Sequence, residues 1–206
     1  AHFASLFIGI EMLSLSLYVL ITYTCTKLNV EAGIKYFVLT AVSIAFLLFG
    51  VSLVYGGRGT MVFAGITEPE FNSNGPGTIL FLTGTGMILV GIFFKLALMP
   101  FNLWAPDVFQ GSPAPITGFL ATVSKGGVFA VGMRYFSSID IMDNNSLFLI
   151  LSSISVASMF FGNITALLQN NIKRLLAYSS IAHFGYLLVT LIAGRLAGTA
   201  AAFYLT

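Results

Sequence analysis

The chain has 206 residues, 57% of them hydrophobic and only 8% charged, with a net charge of +2. A soluble domain typically carries about 25% charged residues, so this composition excludes a water-facing globule, and so small and scattered a charge offers no surface for nucleic acid. A single cysteine, Cys25, excludes an internal disulfide and fits neither a thiolate metal site nor an iron–sulfur cluster.

The apolar runs suit transmembrane helices, since a span needs roughly 20 residues. They lack the alternation, in segments of about ten residues, of a membrane barrel. The predicted fold is all-α: a polytopic transmembrane helix bundle forming a single domain over residues 1–206. In chain order the spans are Phe3–Tyr23, Ile34–Tyr55, Ile79–Phe109, Ile116–Phe136, Leu147–Leu168 and Leu175–Ala193, with a stub at Thr199–Thr206. Residue 1 is Ala, apolar sequence begins at once without a signal-peptide pattern, and the chain stops within an apolar run. These features predict an interior piece of a longer membrane subunit.

On the first span Glu11, Ser14, Tyr18 and Thr22 share one helical face, which should point into the bundle. The connection Gly56–Gly77, with Glu68 and Glu70, reads as an exposed turn region. The third span is too long for one straight helix, and Pro100 removes a backbone donor within it. Two half-helices broken near Met99-Pro100 are predicted, with Lys95 near mid-membrane beside the break. Gly84, Gly91 and Lys95 share a face on which small residues admit a close neighbour. Asp107 lies in the broken region, where helix capping ranks ahead of pairing with a cation. Lys125 follows Thr122 by about one turn on the fourth span. Ser179, Ser180, His183, Tyr186 and Thr190 form a polar stripe on the sixth. Lys27, Lys35, Lys173 and Arg174 fall on one side of the membrane, and Arg58, Arg134 and Arg195 on the other. The positive-inside rule puts the first group in the cytoplasm, with Lys173-Arg174 as an interfacial anchor.

Glu11, Lys95, Lys125 and His183 are therefore ionisable groups at membrane depth, where charge is expensive and functional by default. A carboxylate that approaches or leaves a buried amine changes how firmly the amine holds its proton. One pKa unit is worth about 1.36 kcal/mol, and moving one charge through 100 mV costs about 2.3 kcal/mol. A modest change in such a contact thus matches the work of moving a proton uphill. Histidine, titrating near pH 6.5, suits a relay. The alternative is a membrane scaffold in which Glu11 and Lys95 form a static pair that fixes register, although buried pairs stabilise poorly.

The longest motifs are Phe94-Lys95-Leu96-Ala97-Leu98-Met99-Pro100-Phe101 and Leu103-Trp104-Ala105-Pro106-Asp107-Val108-Phe109-Gln110-Gly111-Ser112-Pro113-Ala114-Pro115. With Phe119-Leu120-Ala121-Thr122, Ser124-Lys125 and the run Asn171–His183, they closely resemble the subunit N family of bacterial proton-pumping NADH–quinone oxidoreductase. The resemblance covers nearly the whole chain. It implies an antiporter-like subunit of about fourteen helices built from two inverted repeats, of which this chain would run from the fifth helix into the eleventh. Glu11 would be the fifth-helix glutamate, Lys95 its partner on the broken seventh helix, Lys125 the central lysine of the eighth, and His183 a member of the polar axis on the tenth. It also implies a bacterial inner-membrane location and other membrane subunits of the respiratory complex as partners. No redox centre or metal is expected in this chain; NAD, FMN, iron–sulfur clusters and quinone would belong to other subunits.

Two departures stand out. Asn102 occupies a position where the family often has histidine, and asparagine cannot titrate. Gly126-Gly127 follow Lys125 where bulkier residues are expected; they would loosen the helix or admit a close neighbour. A sodium/proton antiporter or membrane-bound hydrogenase subunit of the same superfamily remains the nearest alternative.

Overall fold

A computed structural model describes residues 2–63, 76–136 and 145–193. Among them, six helical segments are long and apolar enough to cross a membrane, as the sequence predicts. Glu68, Glu70, Arg195 and the stub Thr199–Thr206 lie outside the described residues.

The first span is α1 (Phe3–Thr22). The second, α2 (Lys27–Arg58), starts seven residues earlier than hydropathy suggests because Thr26 caps it, its side chain accepting from Asn29 N. It also continues through Gly56 and Gly57 and stops at Gly59, whose φ of 68° ends the helix in the left-handed region. The third span is broken as expected. Helix α3 (Pro76–Leu96) ends at Ala97, with a φ of 59°, and α4 (Trp104–Gly111) resumes after irregular backbone containing a cis Met99–Pro100 bond.

Irregular backbone inside a membrane must find polar partners within the protein, and here it does. Leu98 N donates to Phe93 O at 2.9 Å, Trp104 Nε1 to Phe94 O at 2.9 Å, and Met99 N reaches across to Ser158 Oγ at 2.9 Å.

The fourth span comprises α5 (Ala114–Phe119), a π-helical turn at Leu120–Ser124, and α6 (Lys125–Phe136). Helices α7 (Asn145–Leu167) and α8 (Ile172–Ile192) complete the described bundle, the latter capped by Asn171.

Glycine sets how closely α2 and α3 approach. A Cβ on Gly50 would meet Gly84 O at 2.7 Å, and one on Gly84 would meet Gly50 O at 2.8 Å. At Gly91 it would meet Leu47 Cβ at 2.8 Å, and Ser43 Oγ donates to Gly91 O across the same seam. The small-residue face expected of α3 is therefore the one that meets α2. In the core, Leu17, Ile21, Tyr36, Trp104 and Phe109 join α1, α2 and α4. Ile88, Phe93, Phe129, Tyr135 and Leu188 join α3, α6 and α8.

Candidate functional site

Lys95 lies in the last turn of α3 and is 4% exposed. A cation suits that place, because the free carbonyls of a helix C-terminus carry partial negative charge. Its Nζ donates to Ser14 Oγ at 2.6 Å and to Tyr36 OH at 3.5 Å, and stands 5.3 Å from the centre of the Tyr36 ring. Ser14 in turn donates to Ile10 O at 2.5 Å. Glu11, one turn before Ser14, is the carboxylate whose charge acts on Lys95, yet it makes no direct ion pair with it. Glu11 Oε2 is buried without a hydrogen-bond partner, and so is Thr40 Oγ1, one turn beyond Tyr36. Buried polar groups usually find partners, so the Glu11 oxygen is an exception close to where Lys95 meets α1.

Lys125 follows the π turn directly and is 1% exposed. Its Nζ donates to Ser180 Oγ on α8 at 2.8 Å. The faces of Phe109 and Phe184 lie 5.5 and 5.4 Å away. Among the described residues neither lysine forms an ion pair. A lysine at the centre of a transmembrane helix costs on the order of 3 kcal/mol to insert, so each is held by hydroxyls and ring faces at a net cost to stability.

Of the remaining sequence candidates, the structure brings Ser180 to one of these amines. Ser180 is the member of the α8 stripe that meets Lys125. His183 sits on the exposed face of α8 beside Tyr186, whose hydroxyl accepts from Asn163 Nδ2. Thr122 is also exposed and bonds back to Gly118 O. Asn102 is buried at 2% exposure within the break. A Cβ at Gly126 or Gly127 would meet nothing within 4 Å, so no neighbour requires glycine at either position. Among the described residues no three His, Cys, Asp or Glu side chains converge as metal ligands.

Asp107 requires a correction, because it does not act as a cap. It lies in the first turn of α4, where Leu103 occupies the cap position without a side-chain bond, and it pairs instead with cations from two other helices. Lys35 Nζ of α2 lies 3.0 Å from Oδ2 and Arg174 Nη1 of α8 lies 2.8 Å from Oδ1. Lys35 also meets Glu31 at 2.8 Å. Burial works against ionisation of Asp107, but the hydrogen bonds from Lys35 and Arg174 outweigh it and hold the carboxyl below the ordinary aspartate range. Arg174 donates further to Gln110 and Gln169, while Lys173 Nζ donates to Ser112 O at the end of α4. Three of the four cations expected on one side of the membrane, Lys35, Lys173 and Arg174, thus gather around α4. Half-exposed pairs like these contribute about 0–1 kcal/mol each, so the cluster matters more for alignment than for stability.

Six apolar helices with two amines enclosed between them define a multi-pass membrane protein. The whole chain, residues 1–206, matches the family described as NADH:quinone oxidoreductase/Mrp antiporter, transmembrane, and it belongs to that family. It is similar to a chain of respiratory complex I from Thermus thermophilus, with 38% identity and a TM-score of 0.81, over 99% of this chain and 44% of that one. It is also similar to a chain of the membrane-bound sulfane sulfur reductase, an archaeal respiratory membrane complex, with 32% identity and a TM-score of 0.87, over 100% of this chain and 42% of that one. A chain of the Mrp complex from Dietzia sp. DQ12-45-1b shares the fold, with a TM-score of 0.88 at 20% identity, over 100% of this chain and 38% of that one. This chain therefore spans less than half the length of each of those chains.

Proposed function

We propose that this chain is part of an antiporter-like subunit, of the subunit N type, that carries protons across a bacterial inner membrane within an NADH–quinone oxidoreductase. The observation that supports it is the state of the two lysines: 4% and 1% exposed, on transmembrane helices, and held by hydroxyls instead of carboxylates. A static scaffold would gain from pairing them. Amines without a fixed counter-charge are free to change protonation.

In this reading Glu11 moves toward or away from Lys95 and so alters the hold of Nζ on its proton. The released proton passes through hydroxyls and water to the neutral Nζ of Lys125. Ser180 orients that amine, and His183 takes the proton further along the axis. NAD, FMN, iron–sulfur clusters and quinone act in other subunits, which are this chain's partners. Redox chemistry there would drive the change at Glu11.

The test uses the full-length subunit in its complex, reconstituted in vesicles. Lys95→Met and Lys125→Met, made singly, are expected to assemble but to lose proton translocation, read against electron transfer in the same vesicles. Normal translocation per electron in both variants would sink the proposal. Transport that follows sodium in place of the proton would move the chain to the antiporter branch of the family.

A further inference from the structure

We propose that Asp107 is a positioning residue that aligns the surroundings of both buried lysines through α4. This rests on the proton-carrying reading above. Each of its partners lies close in sequence to a group that touches one of the amines. Lys35 is followed directly by Tyr36, whose hydroxyl and ring face Lys95 Nζ. Arg174 lies in the first turn of the helix on which Ser180 accepts from Lys125 Nζ.

Asp107 itself rides on a helix that reaches both sites. Trp104, one turn earlier, stacks on Phe94 with ring centroids 5.7 Å apart and lies 5.4 Å from the Tyr36 ring. Phe109, two residues later, presents its face to Lys125. The same short helix is fastened at its far end, where Asn29 Nδ2 donates to Gly111 O at 2.5 Å and Lys173 to Ser112 O at 2.7 Å.

Pairs as exposed as these add little to stability. What two cations from α2 and α8 on one carboxylate do supply is a fixed register among three helices. Removing the carboxylate lets α4 shift against α2 and α8, and Tyr36, Phe109 and Ser180 lose their aim at the amines together.

The experiment compares Asp107→Asn and Asp107→Glu in the full-length subunit, assembled in its complex and reconstituted in vesicles. Asparagine keeps the shape and removes the charge, whereas glutamate keeps the charge. Asp107→Asn is expected to assemble in normal amount and to lower translocation per electron by roughly 2- to 10-fold, and Asp107→Glu to recover most of it. A purely structural residue would change the amount of complex and leave that ratio alone. Wild-type ratios in Asp107→Asn, or equal loss in both variants, would overturn the assignment. If Asp107→Asn fails to assemble, the paired change Lys35→Gln with Arg174→Gln decides: a lowered ratio supports the assignment and an unchanged one overturns it. Lys95→Met and Lys125→Met serve as controls. If they pump normally, the proton-carrying reading fails; if they are inactive while Asp107→Asn pumps normally, only the role of Asp107 fails.

Discussion

The surroundings of Lys95 and Lys125 differ although both amines are buried. Lys95 sits at a helix end among Ser14 and Tyr36, with Glu11 and its unpaired oxygen one turn before Ser14. Lys125 lies within a continuous span, with one hydroxyl, Ser180, and two aromatic faces. On the proposed reading the first place is the adjustable one, because it holds a carboxylate close to the amine. On the same reading the second, which holds no carboxylate, is the fixed receiving station. A relay needs both kinds of site, since two identical ones would give a proton no reason to leave either.

The widest gap between the two should appear on removing each amine. Lys95→Met removes the amine that Ser14 and Tyr36 both accept from and the positive charge nearest to the unpaired Glu11 oxygen, an effect of about 1–3 kcal/mol. Lys125→Met abandons only a serine hydroxyl and is expected to be close to neutral. Thermal unfolding of the purified full-length subunit measures both. Adding Glu11→Gln should restore most of the Lys95→Met loss, and equal destabilisation by the two single changes would break the comparison.

The hydroxyls should rank the opposite way. Ser180→Ala leaves a buried amine without its hydrogen bond, an effect of about 1.5–3 kcal/mol, whereas after Ser14→Ala the Tyr36 hydroxyl still serves Lys95, and about 0.5–1.5 kcal/mol is expected. Denaturant titration of the two variants should resolve the order, and a larger effect at Ser14 would contradict it.

Acid should produce the smallest effect and act on both sites at once. Asp107, facing Lys35 and Glu31 from α2 and Arg174 and Lys173 from α8, is held below its ordinary range. Its folded-state value lies below its unfolded one. Its contribution is therefore complete above the unfolded carboxylate range and fades as the pH falls through the folded value. The difference in melting temperature between the parent and Asp107→Asn should shrink on acidification; a difference that grows in acid would mean the sign is wrong.

Much of this architecture was legible in the residues. Run length placed the spans, Pro100 placed the break, and Gly84 with Gly91 marked the face that meets α2. Burial of Lys95 and Lys125 followed from their position in apolar runs. The partners were harder to read, because periodicity orders residues on one helix and says nothing of which helix lies opposite. Ser14, not Glu11, is the direct acceptor for Lys95, and Tyr36 had no signal beyond its own polarity. The local sequence of Asp107 favours a cap, while its cations come from 72 and 67 residues away. His183 shares a helix with Ser180, but the chain turns it to the exposed face. The π turn at Leu120–Ser124 has no recognisable sequence mark.

That turn has a geometrical consequence. A π turn holds one residue more than the α turn it replaces, and each residue advances a helix by about 100°. Everything from Lys125 onward is thus swung around by one surplus residue. Deleting a single position within Leu120–Ser124 would close the turn to regular pitch and leave the amine facing Ser180, whereas closing it at unchanged length would rotate Lys125 about 100° away from that hydroxyl. The azimuth of Lys125 thus depends on the wide turn absorbing its surplus residue.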